Sequence, residues 1–157
     1  MDAVDRFKEA AQSLSVDISV QRFPEGTRTA QDAAAAVGCD IAQIVKSLVL
    51  FGSDEPFLVL ASGKNRVNER LVAELINIEK LAMASPEQAR EATGFSIGGT
   101  PPFGHAKRIQ TIMDSDLLDY EIVWAAAGTP DTCFPIKPAK LKEVTSAMVA
   151  SIVEDTR

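Results

Sequence analysis

Apolar side chains recur at three- and four-residue intervals at Val4, Phe7, Ala10, Ala11 and Leu14, which predicts an amphipathic helix over residues 2–15. Ile18 and Val20 then alternate with polar neighbours up to Arg22 as a short strand, and Pro24-Glu25-Gly26-Thr27 breaks it. The alanine-rich run from Thr29 to Val37 reads as a second helix. Asp32 stands three residues after the capping Thr29, and Gly38 stops the run. Ile44–Phe51 and Pro56–Ala61 are near-continuous β-rich stretches around Gly52-Ser53-Asp54-Glu55, the pattern of a hairpin at the centre of a sheet buried on both faces.

Asn68 caps a helix expected to run to Ile76, and residues 80–84 suggest a further strand. Ser85-Pro86-Glu87 opens another helix, which Gly94 closes. Strands are expected at Ile109–Met113, Tyr120–Ala126 and Thr132–Ile136. Leu141, Val144, Met148 and Ile152 are spaced for a C-terminal helix. Strand pairs interspersed with helices, without regular βαβ alternation, indicate an α+β fold with a mixed, curled sheet. With 157 residues, and apart from the alanine run no linker, repeat or low-complexity segment, one domain over 1–157 is expected.

The formal net charge of −6 argues against a protein that coats nucleic acid without specificity. Its distribution changes that picture. Residues 1–60 carry five Lys/Arg against nine Asp/Glu, whereas residues 61–142 carry ten of each. The basic residues of the middle segment cluster at Lys64, Arg66 and Arg70, at Lys107 and Arg108, and at Lys137, Lys140 and Lys142. Such clusters are either an ordinary solvated face or a rim that meets one end of an RNA. No stretch approaches the roughly 20 apolar residues that span a bilayer. The acidic N-terminus is unlike a secretory signal, and two isolated cysteines with one histidine make no closed zinc site, all of which fits a reducing cytoplasm.

Two features carry candidate chemistry. Lys46 lies in the middle of an apolar strand and shares a face with Ile44, Leu48 and Leu50, so it must snorkel, find a partner or lower its pKa. Thr93–His105 packs four glycines and two prolines into thirteen residues anchored by Phe95, Ile97 and Phe103. Such a loop is either a rigid turn or a cradle whose N–H groups receive an anion or a carbonyl oxygen. Ser47, next to Lys46, points to the opposite strand face, which argues against a Ser–Lys dyad.

Lys46 in Ile-Val-Lys-Ser-Leu-Val-Leu, Gly98-Gly99-Thr100-Pro101-Pro102-Phe103-Gly104 and Ala126-Ala127-Gly128-Thr129-Pro130 resemble the YbaK/ProX family from about Phe23 to Val153. These are freestanding aminoacyl-tRNA deacylases related to the editing domain of bacterial prolyl-tRNA synthetases. The resemblance implies a mixed, barrel-like sheet flanked by helices. It also implies hydrolysis of the ester between a wrong small amino acid, such as alanine or cysteine, and a tRNA, most often that for proline. Lys46 would hold the terminal adenosine or the aminoacyl group, and the backbone of Gly98, Gly99 and Thr100 would receive the carbonyl oxygen. Water, or the thiol of a cysteinyl substrate, would attack. Neither metal nor organic cofactor is implied. The implied partners are the acceptor end of a mischarged tRNA and prolyl-tRNA synthetase, with no membrane.

Pro101 and Pro102 complete the loop as substrate-binding candidates, and Thr27 and Arg28 follow a turn that borders the pocket in the family. His105 is either a substrate contact or a turn histidine, and Asp131 either an acidic site residue or part of the Thr129-Pro130-Asp131 turn. Two other readings stand beside this one. The chain could be a non-catalytic module that binds a tRNA end, a synthetase or an aminoacyl-adenylate. It could also be a cysteine hydrolase using Cys133 with His105.

Overall fold

The computed structural model describes residues 2–27 and 29–154. Local signals become elements largely where the chain places them. Helix α1 covers Ala3–Ser13, with the Asp2 carboxylate accepting from the Asp5 N–H, and buries Val4, Phe7 and Ala11. After the two-residue strand β1 (Gln21–Arg22), α2 (Ala30–Val37) is capped by the Thr29 side chain and ended by Gly38 at a φ of 83°. Strands β2 (Val45–Gly52) and β3 (Glu55–Ser62) form an antiparallel hairpin. Ser53 and Asp54 at its tip both have positive φ, as a tight turn matched to strand twist requires.

Helix α3 (Glu69–Leu75) takes its cap from Asn68, and β4 (Ala82–Met83) is a short edge strand. Helix α4 (Pro86–Thr93) carries a full capping box between Ser85 and Gln88 and ends at Gly94. Strand β5 (Gln110–Asp114) leads through a 3₁₀ turn to β6 (Val123–Ala126) and β7 (Thr132–Ile136), and α5 (Pro138–Thr145) follows. The expected C-terminal helix does not continue beyond this point. Ser146 adopts a left-handed conformation, and Met148–Ala150 become strand β8, parallel to β5. The helical spacing of Met148 and Ile152 yields there to the unpaired edge of β5, which a strand can fill and a helix cannot.

The strands form a five-stranded mixed sheet in the order β4-β2-β3-β5-β8 and a three-stranded antiparallel sheet β1-β7-β6. A single parallel bridge between Ile44 and Trp124 connects them, so this α+β structure has two joined sheets where a closed barrel would have one. The main core lies between the sheets. There Val45 and Val49 of β2 and Leu58 and Leu60 of β3 meet Phe134, Val123 and the apolar face of α1. A second core between the other face of the large sheet and α3 holds Leu50, Phe57, Val59, Val72 and Ile112.

Phe7, Phe103 and Phe134 form an aromatic trio with centroids 4.9–5.8 Å apart. It ties α1, the glycine-rich loop and β7 into one packed unit. Phe134 is fully buried, and Phe134→Ala is expected to lower the unfolding free energy by roughly 3–5 kcal/mol in urea denaturation. A loss below about 1 kcal/mol would show that the loop is not anchored through this trio.

Candidate functional site

Among the described residues, strand β2 has no strand partner for part of one edge. Ile44, just before it, bridges β6, and Leu50 and Phe51 pair with β4. Along the stretch between, the chain opens into a cavity of about 240 Å³. Lys46, Ser47 and Leu48 form one wall, Thr27, Ala30 and Ala33 another, and Trp124, Ala126 and Cys133 a third. Gly98 and Thr100 close it.

The glycine-rich loop is shaped by close backbone approach. Gly98 has a φ of 91°, and the Gly99 N–H donates to the Ser96 carbonyl at 3.1 Å, the pattern of a type II turn over Ser96–Gly99. A Cβ on Gly99 would lie 2.7 Å from Thr129 Cα and 2.8 Å from the Gly128 oxygen. Two backbones therefore touch where no side chain fits. Thr100 is buried, and its hydroxyl donates to the Ser96 carbonyl. The Gly99 N–H is thus already engaged and differs from the free donor expected. For Gly98 and Thr100, no hydrogen bond from the N–H to a main-chain group is found among the described residues.

The loop at 128–131 fastens this assembly. The Thr27 N–H and hydroxyl both donate to the Pro130 carbonyl, at 2.7 and 2.9 Å, and the Phe23 N–H donates to the Asp131 carbonyl. The Asp131 carboxylate accepts from the Thr129 hydroxyl and from Arg22, each at 2.6 Å. The Thr129 hydroxyl and then the Arg22 guanidinium hold its carboxyl below the usual aspartate range. Asp131 does not line the cavity. It fixes the turn that supports Thr27 and Gly98.

Lys46 is half-buried, and its Nζ donates to the Asn65 carbonyl oxygen. Burial pushes its pKa below the ordinary lysine range, and the nearby Asp114 charge opposes that shift. Ser47 Oγ is buried without a hydrogen-bond partner among the described residues, on the strand face opposite the one Lys46 shares with Leu48 and Leu50.

Pro101 and Pro102 are buried behind the loop surface and line no part of this cavity. His105 lies in a separate cleft with Pro102, Phe103 and Lys107. Its Nε2 is 2.7 Å from the Pro101 oxygen, and burial lowers its pKa against the effect of that hydrogen bond. It braces the loop from behind. Burial raises the Cys133 thiol, the opposite of what an activated nucleophile needs, and His105 stands in the other cleft. Arg28 lies outside the described residues. Among those residues no group of three His, Cys, Asp or Glu is placed to hold a metal ion, and no helix is long and apolar enough to cross a membrane.

The structure brings together Lys46, Gly98, Thr100 and Thr27, and sets Pro101, Pro102, His105 and Asp131 behind them. Trp124, Cys133, Asn65 and Asp114 belong to the same region and were not singled out as its members by sequence. For Trp124 the only signal was its place in an alternating strand next to the Ala126–Pro130 motif.

The aminoacyl-tRNA editing domain family matches residues 24–144. An uncharacterized protein of Bacillus subtilis (strain 168), YwhH, is 29% identical over 131 residues, covering 83% of each chain. The proline–tRNA ligase of Limosilactobacillus fermentum is 33% identical over 97 residues, which are 59% of this chain and 17% of the ligase. Among solved structures, a proposed trans-editing enzyme for prolyl tRNA synthetase superposes with a TM-score of 0.94 at 42% identity, covering 99% of both chains.

Two outcomes test this geometry. Gly99→Ala is expected to displace the loop from Gly128–Thr129, seen as a lower melting temperature and altered backbone amide shifts over 96–104. Unchanged shifts there would contradict the contact. For Lys46 the sign follows from its lowered pKa. Between its folded value and the unfolded 10.5, the unfolded chain binds more protons, so stability carried by this group rises with pH. Lys46→Met should therefore be more stable than wild type at pH 7, with the difference shrinking as pH approaches 10. A difference independent of pH would remove this account of the buried ammonium.

Proposed function

Because this chain belongs to the aminoacyl-tRNA editing domain family, we propose that it is a trans-editing deacylase. It hydrolyses the ester between a small non-cognate amino acid and the terminal ribose of a tRNA. The observation that carries this reading is the meeting of Lys46, Gly98 and Thr100 in one small cavity. Its volume, about 240 Å³, lies below the roughly 300–1,000 Å³ of pockets that enclose drug-sized ligands. It suits an aminoacyl end, with the nucleoside remaining at the mouth beside Trp124.

Ester hydrolysis collects negative charge on the carbonyl oxygen. The N–H groups of Gly98 and Thr100, on a loop packed closely against Gly128 and Thr129, are donors suited to it. The Lys46 ammonium holds the carbonyl or ribose oxygens by charge-assisted hydrogen bonds. A water, oriented by the neighbouring ribose hydroxyl, adds to the carbonyl carbon. The bond to the ribose oxygen then breaks, that oxygen takes a proton, and the free amino acid leaves. With a cysteinyl substrate its own thiol can attack in place of water, forming a carbon–sulfur bond as the bond to the ribose oxygen breaks; the thiol proton ends on that oxygen, and the cyclic thioester released is then opened by water. This chemistry depends on orientation more than on a strong protein base. Neither a metal nor an organic cofactor has a step in it.

The proline–tRNA ligase relatives and the solved trans-editing neighbour support tRNA for proline as the carrier, the synthetase as a partner and the cytoplasm as the place. The acidic chain would grip only the acceptor end, so a shallow salt dependence accompanies the reading.

The test is release of amino acid from tRNA for proline charged with proline, alanine, cysteine or serine. Rapid release of one wrong amino acid, proline spared, and a loss of at least about 100-fold in Lys46→Ala are expected. Tight binding of a non-hydrolysable aminoacyl-adenosine without turnover of any ester would replace the enzyme with a binding module.

A further inference from the structure

Lys46 is held from outside the cavity. The turn after β3 is built on Asn65, whose N–H donates to the Ser62 carbonyl at 2.9 Å and whose own carbonyl receives the Lys46 ammonium. The Asn65 side chain is pinned in turn. Its Nδ2 donates to Asp114 Oδ2 at 2.8 Å and to Asp116 Oδ2 at 2.7 Å. Asp114, at the end of β5, is 1% exposed. It also accepts from the Ser62 N–H at 3.0 Å and, through its other oxygen, from the Asp116 N–H at 2.9 Å.

A buried carboxylate is costly unless its lone pairs are filled, and here three N–H groups fill them, two from the 62–65 turn and one from the 3₁₀ turn. One of these contacts makes Asp114 the cap of the 3₁₀ turn, and the other two reach across to the 62–65 turn, which capping does not require. Their effect is to lock the 62–65 turn and to place negative charge behind the ammonium.

We propose that Asn65 and Asp114 are positioning residues for Lys46, holding its ammonium at the cavity wall through the Asn65 carbonyl. This rests on the deacylase reading, in which Lys46 touches the substrate. The chain of contacts runs from Asp114 on β5 to the Asn65 carboxamide, through the turn backbone to its carbonyl, and across to Lys46 on β2. Asp116, on the 3₁₀ turn, steadies the same carboxamide. A four-carbon side chain with free rotors has no other fixed anchor among these contacts, and a displacement of about 1 Å at a reacting centre costs on the order of 100-fold in rate.

A double-mutant cycle distinguishes positioning from mere stability. Asn65→Ala, which keeps the backbone acceptor but frees the turn, is expected to lower kcat by about 10- to 100-fold with little change in KM. In a Lys46→Ala background the same substitution should change kcat by less than about twofold, because the group it positions is gone. Equal losses in both backgrounds would overturn the proposal.

A second measurement stands apart from activity. The Lys46 ε-methylene resonance, titrated by NMR in wild type and in Asp114→Asn, should show a midpoint at lower pH in the variant and broader exchange. An unchanged titration in a folded Asp114→Asn protein would overturn the proposal. If wild type releases no amino acid from any ester, the deacylase reading fails, and this titration still decides whether the network holds Lys46.

Discussion

One strand serving two sheets is the constraint from which the rest of this molecule follows. β2 is fully paired to β3 along its length, register Val45–Ser62 to Gly52–Glu55, yet on its other side, among the described residues, the chain bridges β6 at Ile44, just before β2, and pairs with β4 at Leu50 and Phe51. Sheets twist, so two strands that meet at one residue diverge over the next few. The divergence leaves backbone that needs covering, and α2, Trp124 and the Gly98–Thr100 loop cover it incompletely. The cavity is the remainder. Its position is therefore set by topology, and the hairpin register decides that Lys46 is the charged residue standing there.

Much of this was legible in the chain because it was written locally. Thr29 with Gly38, Ser85-Pro86 with Gly94, and Asn68 mark helix ends through hydrogen bonds made within four residues, and each cap forms as its residue type demands. Lys46 stood out because one charge in an apolar strand needs a partner whatever the fold. What stayed hidden depends on distant segments. Met148 and Ile152 keep helical spacing, but β5 offers an open edge and wins them as strand and flanking residue. Asn65, Asp114 and Asp116 look like ordinary turn and capping residues, and only the adjacency of β3 and β5 turns them into one network. His105 sits beside the loop in sequence but behind it in space, where Gly104 has a φ of 82° and the His105 ring meets the Pro101 oxygen.

The electrostatics of the site follow from the same arrangement. Lys46 stays attached to a neutral carbonyl, and the countercharge that opposes the effect of its burial lies one residue further back at Asp114. A direct ion pair would have tied the ammonium to a carboxylate and blunted its pull on any incoming oxygen. Holding the charge behind a backbone carbonyl fixes position while leaving two N–H donors for a ligand. The overall acidity of the chain is compatible with a nucleic-acid substrate on these terms, because recognition confined to one terminal residue draws little on the polyelectrolyte character of the rest.

Economy of folding also points to this corner. A half-buried lysine, a buried Ser47 hydroxyl with no partner, an unpaired strand edge and a glycine contact that admits no Cβ each reduce stability or tolerance to substitution. Close glycine contacts also occur away from it, at Gly52 and Gly63, and positive φ recurs at Ser15 and Asn77, but among the described residues Ser47 Oγ is the buried side-chain oxygen left without a partner. The half-buried Lys46, the unpartnered Ser47 hydroxyl and the Gly98–Thr100 loop meet on one cavity, where packing alone would favour leucine and valine over Lys46 and Ser47, and it is there that the deacylase reading places the substrate.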